Sequence, residues 1–269
     1  MITGRRPQGE VAQKLNYVHN LSLWTASAML LFSGCATVAP VVQNFNIISV
    51  EDEKKIGGEV RQEITKEMVI VTDPGMNNRV RSLGQRIVQA LPRRDFDYQF
   101  YVVKEDSPNA FTIPGGAIYV HTGLLKFATD DNELAGVLAH EVGHAYARHP
   151  AKGLSRAYGV EYLTSLLFKN QPSGFRGIAL QIAKGGLLLK YGREDEYQAD
   201  ELGYTFLRRA GMPTSGLLTF FRKLQNLQKG GVAIPFLSSH PPTPDRIARL
   251  EALEQRKFVS APPSARAMY

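Results

Sequence analysis

Residues 130–150 read Asp-Asp-Asn-Glu-Leu-Ala-Gly-Val-Leu-Ala-His-Glu-Val-Gly-His-Ala-Tyr-Ala-Arg-His-Pro. Asp130 with Glu133 three residues on is a capping-box pattern, so the spacing predicts a helix starting here. Leu134, Val137, Leu138, Val142 and Ala145 recur at helical intervals, and Pro150 is expected to end the run. His140 and His144 are four apart and share a face, so both imidazoles can address one ion. Glu141, about 100° further round the helix, can face a water held by that ion without binding the ion itself. Two imidazoles, a carboxylate and an open position suit zinc, which acidifies water enough for a nearby glutamate to take its proton. The plainer alternative is a helix with two incidental histidines. The small and apolar neighbours Ala139, Gly143 and Ala145 favour the packed site.

A third ligand has to come from another element. A helix is expected from about Arg193 to Ala210, stopped by Gly211 and Met212-Pro213. On it Glu196 and Asp200 are again four apart. Glu196 can complete the metal set, while Asp200 can accept the outer N–H of a ligand histidine, His140 first, and so fix its tautomer. Alone, Glu-x-x-x-Asp is more often a solvated helix face. Its weight comes from standing on a separate helix after the histidine pair.

The rest of the chain supplies a frame. Ser49 can cap a helix over Val50 to Met68, and Asp73-Pro74-Gly75 reads as a turn before a helix over Met76 to Ala90. Phe96 to Val103 is rich in aromatic and β-branched residues and reads as a strand. Pro114-Gly115-Gly116 is a turn, and Ala117 to His121 a second short strand. From Gly153 to Leu189 the chain is apolar but broken by Lys169, Pro172, Arg176 and Lys184, which reads as helices with a flexible break and not as a membrane span. Helices near Thr214 to Gln228 and Pro244 to Lys257 follow, then a loose tail over 259–269. The expected fold is α+β and mainly α-helical, with a small sheet beside the active-site helix.

The 269 residues carry a net charge of +7 and a pI near 9.4, but the charge is dispersed. No Lys/Arg-rich run has interleaved aromatics, so a nucleic-acid partner is not expected. Arg5, Arg6 and Lys14 precede an apolar stretch, Leu21 to Phe32, too short for a comfortable span, and Ser33-Gly34-Cys35 follows. This reads as an export leader over 1–34, ending like the bacterial lipobox in which the cysteine is lipidated. Phe32 stands where leucine is usual. Cys35, the only cysteine, cannot form an internal disulfide and is the expected lipid anchor, with 35–46 as its tether. Ala36 in place of aspartate points to the outer membrane. The expected arrangement is leader, tether, a metallopeptidase domain over 47–258, and tail.

Asn109-Ala110-Phe111, then Pro114-Gly115-Gly116-x-Ile118-Tyr119-Val120, then the His-Glu-x-x-His helix, then Arg193-x-x-Glu196-Tyr197-x-Ala199-Asp200 together resemble the gluzincin zinc metallopeptidase family of HtpX, Oma-type and CAAX-prenyl endopeptidases. The resemblance covers roughly Glu51 to Leu250, and Gly192 departs from the family's usual serine. The lipobox and the lack of clear membrane helices look most like its periplasmic lipoprotein proteases of the LoiP and BepA type, without a tetratricopeptide array.

The resemblance implies a zincin fold with one Zn2+ per chain on His140, His144 and Glu196, and Glu141 as the base. It implies that Gly116, Ala117, Ile118, Tyr119 and Val120 form the edge strand that pairs with extended substrate. It sets Ser239-His240-Pro241 and Arg246 near the metal, with His240 as a reversible fourth ligand that holds the enzyme latent; the plain alternative is a loop histidine fixed by Pro241-Pro242. An oxyanion stabiliser is expected, with Arg246, Tyr197 and His149 all open. Substrates would be unfolded or misassembled envelope proteins, in quality control at the outer membrane and in contact with its assembly machinery. Of the other histidines, His121 is expected to be structural or to line the edge, and His149 to cap the helix end; His19 lies in the leader. A non-catalytic zinc-binding assembly factor and an intramembrane protease are the rival readings.

Overall fold

The computed structural model describes residues 46, 48–169, 172–183, 190–229 and 235–260. The expected leader, Cys35, all of the tether except Asn46, and the tail beyond residue 260 lie outside the described residues, and Asn46–Tyr269 is one compact unit. Helix α1 spans Val50–Glu67 and α2 Pro74–Gln89, followed by strands β1 Gln99–Val103, β2 Ala110–Thr112 and β3 Ala117–His121. Then come α3 Thr122–Phe127, α4 Asp131–Tyr146, α5 His149–Lys169, α6 Pro172–Ala183, α7 Arg193–Arg209, α8 Gly216–Lys229, α9 Pro235–Ser239 and α10 Pro244–Ser260.

Local chemistry sets the ends of these elements. The Ser49 hydroxyl accepts the Asp52 N–H at 3.0 Å and starts α1, whose Ile56, Val60 and Ile64 form a buried stripe. Asp73 accepts the Met76 N–H at 2.7 Å with Pro74 in the first turn, so the expected turn at 73–75 is the cap and first turn of α2. Strand β1 begins three residues later than expected. Its first ladder bond runs from Gln99 N–H to the Gly116 carbonyl at 3.2 Å, and β3 offers no earlier partner to Phe96 or Tyr98.

The sheet order is β1-β3-β2, with β1 parallel and β2 antiparallel to β3. This corrects the expected substrate edge: Ala117, Ile118, Tyr119 and Val120 lie in the central strand, all buried, and Gly116 lies in the turn before it. Both ladders of β3 are already used, so it has no free edge. The edge on the α4 side is β2, three residues long and too short to carry a periodic signal.

Alternation along the strands divides two cores. Phe100, Val102, Ala110, Ile118 and Val120 pack into a cluster with α2, α4, α7 and α8, whereas Val103, Phe111, Ala117 and Tyr119 pack against α1, α5 and α6. Tyr101, Tyr119 and Phe111 stack across the three strands with centroids 5.1 and 5.0 Å apart, which pins the register. Helix α5 contains Gly159 at φ 69°, ψ 172°, a break within the expected apolar stretch. No described helix is long and apolar enough to cross a membrane.

Candidate active site

Helix α4 starts as expected, Asp130 accepting the Glu133 N–H at 2.9 Å, and is buried from Glu133 to Ala145. It lies in backbone contact with α7 because the seam is made of small residues. A Cβ on Gly143 would stand 2.7 Å from the Ala199 carbonyl oxygen, and one on Gly203 3.0 Å from the Ala139 carbonyl carbon. That approach brings the Glu196 side chain of α7 to the histidines of α4. His140 Nε2 and His144 Nε2 are 3.0 Å apart; Glu196 Oε2 is 3.5 Å from the first and Glu196 Oε1 3.4 Å from the second.

The outer nitrogens fix which ring atoms face inward. His140 Nδ1 is 2.9 Å from Asp200 Oδ1, so it carries the hydrogen and its Nε2 lone pair turns to the centre. For His144 the partner is His149, whose Nδ1 lies 2.8 Å from His144 Nδ1. His149 Nε2 faces two acceptors, Gln198 Oε1 at 2.9 Å and Asp195 Oδ1 at 3.5 Å, and so is the protonated nitrogen. Its Nδ1 must then accept from His144, which leaves His144 Nε2 bare as well. Burial pushes the His149 pKa down to about 4, which keeps this ring neutral.

His149 therefore does not cap the end of α4. That helix ends because Arg148 adopts φ 59°, a left-handed conformation that costs a non-glycine residue about 1 kcal/mol. Arg148 Nε contacts the buried Glu53 carboxylate of α1 at 2.6 Å, and Nη2 donates to the Ile48 carbonyl at 2.6 Å. The chain restarts as α5 at once, with Pro150 in its first turn and His149 folded back onto His144.

Arg246 of α10 is fully buried and holds both carboxylates of α7. Its Nε and Nη2 donate to Asp200 at 2.7 Å each, and Nη1 is 2.6 Å from Glu196 Oε2. Burial opposes the charge on Glu196, but His240 and Arg246 outweigh it and hold the carboxyl well below its usual range. Burial likewise opposes charge on His140, yet hydrogen bonds to Asp200 and Glu196 lift its pKa to about 9, so without a metal the ring takes up a second proton on Nε2, which a bound cation would displace. His144 goes the other way, driven down by burial and by the charge of His140.

The third side of the centre is Glu141. Its Oε2 accepts the Thr112 hydroxyl of β2 at 2.7 Å, while its Oε1 is buried with no hydrogen-bond partner. His240, just after α9, has Nδ1 3.1 Å from Glu196 Oε1 and 3.3 Å from His140 Nε2. Its unpartnered Nε2 lies 3.5 Å from Glu141 Oε1. Tyr191, before α7, lays its ring on His144 with centroids 3.9 Å apart, and its hydroxyl reaches the Thr112 carbonyl at 3.4 Å.

None of the three oxyanion candidates faces the free side of Glu141. Arg246 is committed to Asp200 and Glu196, Tyr197 places its hydroxyl 3.4 Å from Asp245, and His149 is bonded to His144. His121, for which a structural and an edge-lining role are both open, ends β3 with Nδ1 against Ser107 and its ring edge-on to Phe111. Sequence reasoning missed Thr112, Tyr191 and Gln198. Thr112 lies between Phe111 and Pro114 and Gln198 between Tyr197 and Ala199, both inside the motif segments that carry the family resemblance; Tyr191 makes only long-range contacts that local spacing does not encode.

His140, His144, Glu196 and His240 each turn one donor atom to a common point, all within 4.8 Å of one another. Donors held tetrahedrally at zinc's 2.0–2.1 Å would stand roughly 3.3 Å apart, and the observed 3.0–3.5 Å separations match. Three buried carboxyl groups, Glu141, Glu196 and Asp200, face one buried guanidinium, a balance that a divalent cation among neutral imidazoles completes. The residues therefore fit zinc.

Known proteins share this sequence at moderate identity. The chain is 28% identical over 218 residues to the mitochondrial metalloendopeptidase OMA1 of Schizosaccharomyces pombe, covering 78% of this chain and 63% of that one. It is 25% identical over 225 residues to the beta-barrel assembly-enhancing protease of Escherichia coli, covering 79% and 46%. Against the metalloprotease YcaL of Escherichia coli it is 26% identical over 246 residues, covering 84% and 93%. The chain thus spans less than two thirds of the first two proteins and nearly all of the third. Residues 74–254, which include every metal-facing side chain described above, match peptidase family M48, and the chain belongs to that family.

Proposed function

We propose that this chain is a zinc-dependent endopeptidase of a bacterial envelope, acting on unfolded or misassembled proteins. The observation that carries the reading is the convergence of His140, His144 and Glu196 on one point with Glu141 beside it, its Oε1 unpartnered in a buried site. His140, His144 and Glu196 would hold the zinc, which when bound supplies Lewis-acid activation of water and of the scissile carbonyl. Asp200 and His149 hold the two imidazoles in the tautomers that present Nε2, and Arg246 keeps both supporting carboxylates charged. Glu141, oriented by the Thr112 hydroxyl, takes the proton of the attacking water on Oε1 and returns it to the departing amine. His240 stands among the donors as a reversible fourth ligand, which makes this a latent arrangement: it has to withdraw before water and a substrate carbonyl can enter beside Glu141.

The envelope setting rests on the leader-like segment and Cys35, and on a relative named for β-barrel assembly. Lipid anchoring at Cys35, a periplasmic place on the outer membrane, and work alongside its assembly machinery belong to this proposal. So does the division into leader 1–34, tether 35–46, peptidase domain 47–258 and tail.

The test is casein degradation by the purified full-length chain with zinc, as unchanged, Glu141→Gln and His240→Ala protein. Cleavage by the His240→Ala protein, faster than by the unchanged one, is expected. Glu141→Gln should lower the rate by 10²–10⁴ or more while retaining zinc. If no version cleaves although each holds zinc, the chain is a metal-binding scaffold and the peptidase reading fails.

A further inference from the structure

Strand β2 is where the sheet meets the catalytic helix, and its two edges differ. Ladder bonds run from Ile113 N–H to Ala117 and from His121 N–H to Asn109, and Phe111 pairs with Tyr119 between them. In an antiparallel ladder the residues between bonded pairs turn their N–H and C=O groups outward. Ala110 and Thr112 are those residues, so the free edge of the sheet consists of their backbone groups. An extended peptide added to this sheet would have to bond to them.

Two of those four backbone groups are already taken from within the chain. The Ala110 N–H is taken by the side-chain oxygen of its neighbour Asn109 at 3.0 Å, and the Thr112 carbonyl by the Tyr191 hydroxyl at 3.4 Å. Thr112 also bonds Glu141 through its hydroxyl, so the carbonyl that Tyr191 covers belongs to the residue that orients the base. The Tyr191 ring lies flat on His144 and 5.7 Å from the His240 ring, across the space between the edge and the metal ligands. Lys190 and Gly192 on either side are exposed and outside any helix, so the ring reaches inward from backbone that lies at the surface.

We propose that Tyr191 is a stand-in for substrate: its hydroxyl takes the Thr112 carbonyl that the backbone N–H of an extended substrate would take, and binding displaces it. The inference rests on the peptidase reading above and adds a closure distinct from His240, one that guards the peptide edge and not the metal. The single long hydrogen bond suits a contact meant to be exchanged.

The test separates binding from turnover. In zinc-loaded full-length protein carrying Glu141→Gln, the affinity for fluorescently labelled unfolded casein is measured with and without Tyr191→Phe. Loss of the competing hydroxyl, one hydrogen bond, is expected to tighten binding about two- to tenfold. Tyr191→Ala, which also clears the ring, should tighten it at least as much. With Glu141 present, the gain should appear as a lower KM. Unchanged or weaker casein binding by the Tyr191→Phe protein would overturn the proposal. Loss of zinc from that protein would also overturn it, since Tyr191 would then be a prop for His144. Failure of the peptidase reading itself would look different: no version with Glu141 would cleave, while the binding comparison would still read out.

Discussion

Around His140, His144 and Glu196 the supporting partners stand at short range, whereas on the side of Glu141 and His240 several contacts are longer. On the donor side Asp200, Arg246, His149 and Gln198 make contacts of 2.6–2.9 Å, and each partner is buried or held by a helix. On the substrate side Glu141 Oε1 and His240 Nε2 face each other at 3.5 Å, and Tyr191 holds Thr112 at 3.4 Å. A site that must hold a metal continuously but admit substrate only briefly should divide in this way. Over-determined ligands keep the ion, and under-satisfied groups are cheap to rearrange.

The comparison is most exposed at Arg246. Replacing it with methionine keeps much of the volume but leaves Glu196 and Asp200 buried together without their cation. Removing one partner from a buried charge cluster costs about 3–5 kcal/mol. Urea denaturation of the zinc-free Arg246→Met protein should show a loss of that order, partly recovered when zinc is added. A loss under 1 kcal/mol would mean that the donor side is not held by this guanidinium.

A smaller effect is expected at His149. His149→Phe keeps a ring in place but removes the acceptor for the His144 N–H. Loss of such an outer partner lowers metal affinity about 10–100-fold. Competition with a chelator should show this shift while the unfolding transition of the metal-free protein stays close to that of the parent. Unchanged zinc affinity would break the relay from Gln198 through His149 to His144.

How far the sequence foretold these two sides also differs. His140, His144, Glu196 and Asp200 were legible because helical spacing alone puts each pair on one face, and the capping residues announced both helices. The contact between α4 and α7 was not, because it depends on where Gly143 meets Ala199, a tertiary fact. Nor is the place of His149: a helix running on to Pro150 would set it at the helix end, and the left-handed turn at Arg148 that folds it back is held by Glu53 on another element. The family resemblance puts the substrate edge at 116–120, a strand visible in sequence, whereas the three-residue strand that is the edge carries no periodic signal. Which strand is central follows from pairing, which no local pattern encodes.

The least drastic probe of the looser side is Thr112→Val. Valine has the same shape, suits a strand, and leaves the backbone carbonyl that Tyr191 uses in place, so only the hydroxyl that Glu141 Oε2 accepts is lost. A hydrogen bond to a charged group contributes about 1.5 kcal/mol at the lower end, roughly a tenfold change in rate. Casein cleavage by the Thr112→Val protein should therefore fall about tenfold in kcat, with zinc affinity and denaturation midpoint held near the parent's. Thr112→Ser, which restores a hydroxyl, should recover most of it. If Thr112→Val instead released zinc, Glu141 and the ligand set would be one mechanical unit, and the division between a fixed metal side and a movable substrate side would not hold.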